Sequence, residues 1–340
     1  MKSLLFFWKN PRTLLLSGTL VSIAIGTYLV LPSNLDFPKG TPGPKVSINI
    51  ANGELGSDIA KKLKEAGVVR STKPFLSALN SDPKARAIAP GIHLINSHVT
   101  TKVAIAQLSD PKSISNLVIV KDGSTLTDVL KSLKGDSNII FNTSEIKLVK
   151  PLFANPGNSL EGSLHPANYS FGPSTRLSQA LSQMVEQARM SPAIKLLNNG
   201  FSGFTPFQLL TIASLIQIEG DPGSGNKVAR VIYNRLKSGM PLQLNSTVQY
   251  ASGNRGKIAL STKATQLNSP YNTYRNLGLP PTPISNPSDF AIKATVNPTP
   301  GDWIYFITVA PGDTRFTKSF AEFQNWTTEF NKNLSLGKFK

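Results

Sequence analysis

Apolar and polar positions change their period several times along the chain, and each change marks a short element. VSINIANG, Val46 to Gly53, alternates as a strand does. GSDIAKKLKEAGVV, from Gly56, then puts Ile59, Leu63 and Val68 on one face and Lys and Glu on the other, which predicts an amphipathic helix. STKPFLSALN opens with a capping residue and continues as a second helix, GIHLINSHVT returns to a strand, and TTKVAIAQLSD, from Thr100, gives another short helix. NLVIVKDGSTLTDVLKSLKGD, Asn116 to Asp136, runs again from strand through glycine to helix, a weak internal repeat of the earlier phrase. From about Leu148 the character shifts. Helical stretches cover Ser178 to Met190, Thr205 to Glu219 and Asn226 to Met240, and behind them PLQLNSTVQYAS, SPYNTYRNLGLPPTPISNP and TVNPTPGDWIYFITVAPGDTRF read as loops.

The front of the chain differs from all of this. Thr13 to Leu31 is a stretch of nineteen residues without a charge, long enough to cross a bilayer as a helix. Lys2, Lys9 and Arg12 precede it, which predicts a cytoplasmic tail at 1–12, a retained anchor at 13–31 and an extracytoplasmic body. No A-x-A cleavage pattern follows the apolar run. Residues 32–45 are rich in Pro and Gly and read as a linker leaving a cell membrane that the chain crosses once.

Length and charge narrow the classes. A chain of 340 residues is enough for two or three folded units. Lys and Arg number 36 against 19 Asp and Glu, a net charge of +17, which favours a polyanionic partner. The predicted topology removes nucleic acid from that list and leaves lipid headgroups and anionic envelope polymers. There is no Cys, so disulfides, thiolate metal sites and cysteine nucleophiles are excluded. The three His, His93, His98 and His165, sit in no metal or triad motif, and no metal and no cofactor is expected.

One carboxyl draws attention. Thr205-Pro206 is a good helix start, and Leu209, Ile212, Leu215, Ile216 and Glu219 follow along one side. Gly220 reads as a left-handed stop and Asp221-Pro222 bars continuation. Apolar neighbours and the negative end of the helix dipole both disfavour ionised Glu219, so its pKa should rise toward what a general acid needs. The plainer alternative is a last-turn residue reaching solvent or an Arg. The loops that follow are dense in amides, hydroxyls and Tyr, as sites for neutral sugars are and as ordinary turns are too.

ASLIQIEG, then VARVIYNRLKSGMPLQLNSTVQY, YNTYRNLGLPPTPISNP and IYFI, together with Leu160 to Tyr169, resemble the endolytic murein transglycosylases of the MltG or YceG-like family, from about Val46 to the C-terminus. The resemblance implies an α+β protein: an N-terminal transmembrane helix, a LysM-like small module at 46–112, a second small strand-helix unit at 113–147 and a mixed α+β catalytic domain at 148–340. It implies cleavage within the glycan strands of peptidoglycan to leave 1,6-anhydroMurNAc ends, limiting nascent strands, with cell-wall synthases as partners. The family's catalytic acid lies in a helix motif with two Glu; here the first is Gln217, so the role falls on Glu219. Two His of the family pattern stand as Thr314 and Phe323. On the implied chemistry, Gln243, Asn245, Tyr271, Asn272 and Tyr274 are candidates for holding sugar amides and hydroxyls, and Arg235 for a peptide or lactyl carboxylate. Glu161 is expected to organise the turn of Leu160-Glu161-Gly162. The rival class is a peptidoglycan-binding scaffold without catalysis that recruits synthesis enzymes.

Overall fold

The structure, a computed structural model, describes residues 36–339 apart from positions 52, 87, 116 and 257–259. The expected cytoplasmic tail and membrane anchor, 1–31, lie outside the described residues. Among the described residues no helix is long and apolar enough to cross a membrane. The chain divides into two compact units, one through Ser115 and one from residue 116 to Lys340.

In the first unit strand β1 (Lys45–Ile50) pairs antiparallel with β2 (Gly91–Asn96), placing Val46 opposite Ile95 and Ile48 opposite His93. Helices α1 (Gly56–Glu65) and α2 (Thr72–Ser81) fill the connection, and α3 (Thr101–Leu108) follows β2. Strand alternation and helix periodicity converge on one core of Ile48, Ile50, Ile59, Leu63, Phe75, Ile95, Ile105 and Leu108. Each fully buried aliphatic side chain in it contributes about 1.5–3 kcal/mol. His93 lies wholly inside this unit, with Nδ1 2.8 Å from Ser113 Oγ and Nε2 2.9 Å from the Ala89 carbonyl. Burial lowers its pKa below the usual imidazole range.

The second unit begins with β3 (Leu117–Val120), which pairs antiparallel with β5 (Ala167–Ser170). Helix α4 (Leu126–Lys134) and the two-residue strand β4 (Ile139–Ile140) come between, and β4 runs parallel to β6 (Thr175–Arg176). Then come α5 (Leu177–Met190), α6 (Pro206–Glu219) and α7 (Gly225–Lys237). Thr205 and Gln208 form a reciprocal capping box at the start of α6, with Pro at its first position. All eight residues from Leu209 to Ile216 are buried, so α6 is enclosed on every side through its middle rather than along one stripe.

Two of the predicted loops are ordered elements. PLQLNSTVQYAS contains helix α8 (Asn245–Ser252), closed by left-handed Gly253. TVNPTPGDWIYFITVAPGDTRF contains a hairpin of β7 (Tyr305–Ala310) and β8 (Asp313–Thr317), in register with Phe306 opposite Phe316. Between them lies α9 (Asp289–Val296), and α10 (Phe320–Ser335) follows the hairpin. Polar residues dominate these stretches because their hydroxyls and amides bond to backbone, a use that periodicity does not reveal. Thr247 Oγ1, for example, donates to the Leu244 carbonyl.

Candidate active site

Helix α6 ends at Glu219 without the left-handed glycine that the sequence suggests. Gly220 is extended, at φ −124° and ψ 175°. Glycine is needed there for room: a Cβ would lie 3.2 Å from the Cα of Gly225 and 3.2 Å from the Ile216 carbonyl. Asp221 then folds the chain back, its Oδ1 accepting the N–H of Gly223 and of Ser224, both at 2.8 Å. This turn delivers the chain directly into α7 and brings the end of α6 against its neighbours.

Glu219 is half-buried, and its Oε1 accepts the backbone N–H of Ser246 at 3.2 Å. Ser246 is the second residue of α8, so the positive end of that helix faces the carboxyl. Two opposing effects meet here. Burial raises the pKa of Glu219, and its hydrogen bonding to Ser246 lowers it; burial prevails and the net direction is upward.

Asn245, at the first position of α8, accepts the Tyr274 hydroxyl at 2.6 Å through Oδ1. Burial raises the Tyr274 pKa first, the Glu219 charge adds to it and Arg235 opposes it, so this phenol stands within electrostatic reach of both groups. Thr273 clamps the entry to α8: its carbonyl accepts Gln243 N–H at 3.0 Å and its Oγ1 accepts Leu244 N–H at 3.0 Å. Gln243 itself is exposed and sits at φ 51°, a left-handed conformation that is strained for a residue with a side chain.

The remaining candidates sort by geometry. Arg235 is 7% exposed, and its guanidinium donates to the carbonyls of Ile304 at 2.6 Å, Leu242 at 2.8 Å and Pro241 at 3.2 Å. It reaches Gln243 Oε1 at 3.4 Å and lies over the Tyr305 ring, 5.4 Å from its centre. Arg235 thus ties the β7 approach to the α8 approach. Asn272 is completely buried; its amide donates to Thr265 and Leu267 carbonyls at 3.0 and 2.7 Å, and its Oδ1 accepts Tyr274 N–H. It shapes the loop that carries Tyr274. Tyr271 turns to Thr282, hydroxyl to hydroxyl at 2.8 Å, with its ring 5.0 Å from that of Tyr250.

Glu219, Asn245 and Tyr274 are therefore brought together, Arg235 and Gln243 form an adjoining group, and Tyr271 and Asn272 stand behind them. Ser246 belongs to the site and is not among the sequence candidates, since its contribution is a backbone N–H exposed only by the helix start. Gln217, two residues before Glu219, faces elsewhere: its Oε1 accepts Ser288 N–H at 2.8 Å and Ser288 O–H at 2.6 Å, where α9 begins. Thr314 pairs with Thr308 across the hairpin at 2.8 Å, and Phe323 stacks on Tyr305 with ring centres 5.1 Å apart. A cavity of about 930 Å³ opens at the Pro206 end of α6, walled by Phe201, Phe204, Tyr233, Pro280 and Pro281, and Glu219 is not in its lining. Among the described residues no group of three or more His, Asp or Glu is placed to hold a metal ion.

The chain matches the YceG-like family over residues 48–329. It is 30% identical over 318 residues to the endolytic murein transglycosylase of Bacillus subtilis (strain 168), covering 87% of this chain and 88% of that protein. It is 39% identical over 155 residues to the endolytic murein transglycosylase of Streptococcus pneumoniae serotype 2, covering 44% of this chain and 28% of that longer protein. The crystal structure of a YceG-like protein from Listeria monocytogenes superposes with a TM-score of 0.52 at 26% identity, covering 83% of this chain and 98% of that one.

Proposed function

Because this chain belongs to the YceG-like family, we propose that it is a lytic transglycosylase that cuts peptidoglycan glycan strands from within, with Glu219 as its acid and base. The observation that carries the reading is the half-buried Glu219, its pKa raised by burial, beside the N-terminus of α8. With Oε1 accepting the Ser246 N–H, Oε2 is the oxygen that would carry the proton and pass it to the oxygen joining N-acetylmuramic acid to N-acetylglucosamine. The C1–O bond breaks and the N-acetylglucosamine side leaves as an alcohol. Glu219, now a carboxylate, takes the proton of the muramoyl C6 hydroxyl. That oxygen bonds to C1 of the same sugar and leaves a 1,6-anhydro end, with no water consumed.

A hydrolytic glycosidase generally works with a pair of carboxyl groups. The carboxylates nearest in sequence are otherwise engaged: Asp221 bonds its own turn, and Glu186 pairs with Arg189 at 3.1 Å on α5. Such an arrangement supports a reaction served by one carboxyl. Tyr274 and Asn245, hydrogen-bonded to each other beside Glu219, would meet the sugar's acetamido and hydroxyl groups, and exposed Gln243 the next ring. The uncharged run at 13–31 would anchor the enzyme once in the cell membrane with its body outside, where the first unit would serve as the LysM-like glycan-binding module. Cell-wall synthases are the partners this placement would bring near.

Digestion of purified peptidoglycan followed by mass spectrometry tests the reading. Anhydro ends should appear, and Glu219→Gln should lower their rate by about 10²–10⁴-fold, the usual contribution of general acid–base catalysis. Reducing ends would identify a hydrolase, and retention on peptidoglycan without product release would identify a scaffold.

A further inference from the structure

Glu161 is 4% exposed and lies in the turn after Leu160, in a stretch to which the proposed chemistry assigns no task. Its surroundings contrast with those of Glu145, also buried, which the Ser178 N–H first, then the Arg176 guanidinium at 2.7 Å and the Ser178 hydroxyl hold down to about 2. The hydrogen-bond donors to the Glu161 carboxyl are neutral. Leu126 N–H, at the first position of α4, bonds Oε1 at 3.0 Å and Oε2 at 3.2 Å, and the Tyr250 hydroxyl donates to Oε2 at 3.0 Å. Tyr250 stands one helical turn after Ser246 on α8, and Ser246 supplies the N–H that meets Glu219.

We propose that Glu161 is a positioning residue for the reaction: through Tyr250 it holds α8 so that Ser246 N–H and Asn245 stay aligned with Glu219 and Tyr274. This rests on the transglycosylase reading of the Glu219 site. The anchor is stiff at its base. Gly162 sits at φ 79°, and a Cβ there would lie 2.6 Å from Pro283 Cβ, so the turn is pressed against the loop before α9. It is also stiff at the ring, where Tyr250 packs on Tyr271 and Tyr271 bonds Thr282. An α8 fixed at Asn245 by Tyr274 and at Tyr250 by Glu161 has little freedom to slide along its axis.

The anchor also responds to pH. Burial pushes Glu161 up to about 7, against the pull of Leu126 N–H, the Tyr250 hydroxyl and the Arg255 charge. Arg255 is itself paired with Asp128 of α4 at 2.6 Å, and Tyr271 is the other titratable ring beside Tyr250. A carboxylate accepts the Tyr250 proton more strongly than a neutral carboxyl does. The hold on α8 therefore tightens as pH rises through about 7, opposite in direction to the loss of the Glu219 proton.

The test is made on the full chain with Tyr250→Phe, Glu161→Gln and the double variant, with kcat and KM measured against pH on soluble glycan strands. Tyr250→Phe should lower kcat by about tenfold, the loss expected for one charge-assisted hydrogen bond, with KM little changed and Tm lowered by the donor missing from buried Glu161. The rising limb near neutral pH should vanish, and the double variant should be no worse than the single ones. Hydrogen exchange at residues 245–248 gives a readout that needs no reaction, and it should quicken by about tenfold in Tyr250→Phe. Were Glu161→Gln to misfold, Tyr250→Phe alone decides. Unchanged exchange at 245–248 in Tyr250→Phe overturns the proposal whatever the products, as does an unchanged pH profile. A wild type that makes no anhydro product while exchange still quickens removes the transglycosylase reading and leaves the anchor standing.

Discussion

Burial of Glu219 outweighs its hydrogen bonding to Ser246 and raises its pKa, and this has a consequence for stability as well as for rate. Its folded pKa lies above the ordinary carboxyl value of 4.5, so the folded state binds more protons than the unfolded one across the interval between the two. Stability is thus lost as pH rises from the ordinary value through the raised one. Glu219→Gln keeps an acceptor for Ser246 N–H and removes the ionisation. Thermal melts should show the variant more stable than wild type at pH 7, with the gap closing toward pH 4; a variant less stable at pH 7 would place the carboxylate in a favourable site instead. Gln217 makes the complementary case at the same helix end. Its Oε1 caps α9 through Ser288, so Gln217→Ala should lose about 1 kcal/mol of stability, the usual worth of a helix cap. Gln217→Glu places a negative charge at a helix N-terminus and should leave both stability and anhydro-end formation within about twofold of wild type. A large gain in rate with Gln217→Glu would show that a second carboxyl there takes part.

The elements differ in how far the sequence reveals them. Strand β1, helices α1 to α7 and strand β2 follow from periodicity, since each buries an apolar face or core whose spacing is written in Ile, Leu and Val. Helix α8 does not, because Asn245, Ser246, Thr247 and Gln249 carry no apolar stripe and only Val248 is a buried aliphatic. What makes α8 a helix is tertiary: Thr273 clamps its entry, and its ends meet Glu219 and Glu161. Glu219 was legible as a chemical group from its place on a buried helix. Its partner Ser246 was not, because a backbone N–H leaves no mark in composition. Arg235 shows the same limit from the other side. The resemblance makes it a candidate for a peptide or lactyl carboxylate, and the fold encloses its guanidinium among the carbonyls of Pro241, Leu242 and Ile304. Arg235→Lys cannot reach all three, and unpaired buried carbonyls cost about 1–3 kcal/mol each. Chemical denaturation should show a loss of at least about 2 kcal/mol; a variant of wild-type stability with only KM raised would assign Arg235 to the substrate instead.

At the scale of the whole chain the excess of 17 positive charges matches a polyanionic surrounding. If that excess draws the protein to an anionic wall polymer, binding should weaken steeply between about 0.05 and 0.5 M salt, as screening shortens the Debye length from about 14 to 4 Å. Salt-independent retention would assign the affinity to specific contacts with sugars. The match to the YceG-like family over 48–329 takes in most of both units, so the family likeness is not confined to the helix that ends in Glu219.

The most direct measurement is the mass of the ends released from purified peptidoglycan by the wild type and by Glu219→Gln. The account predicts 1,6-anhydro ends, lighter by one water than reducing ends, from the wild type and almost none from the variant. Reducing ends from the wild type, or anhydro ends formed at full rate by Glu219→Gln, would contradict it.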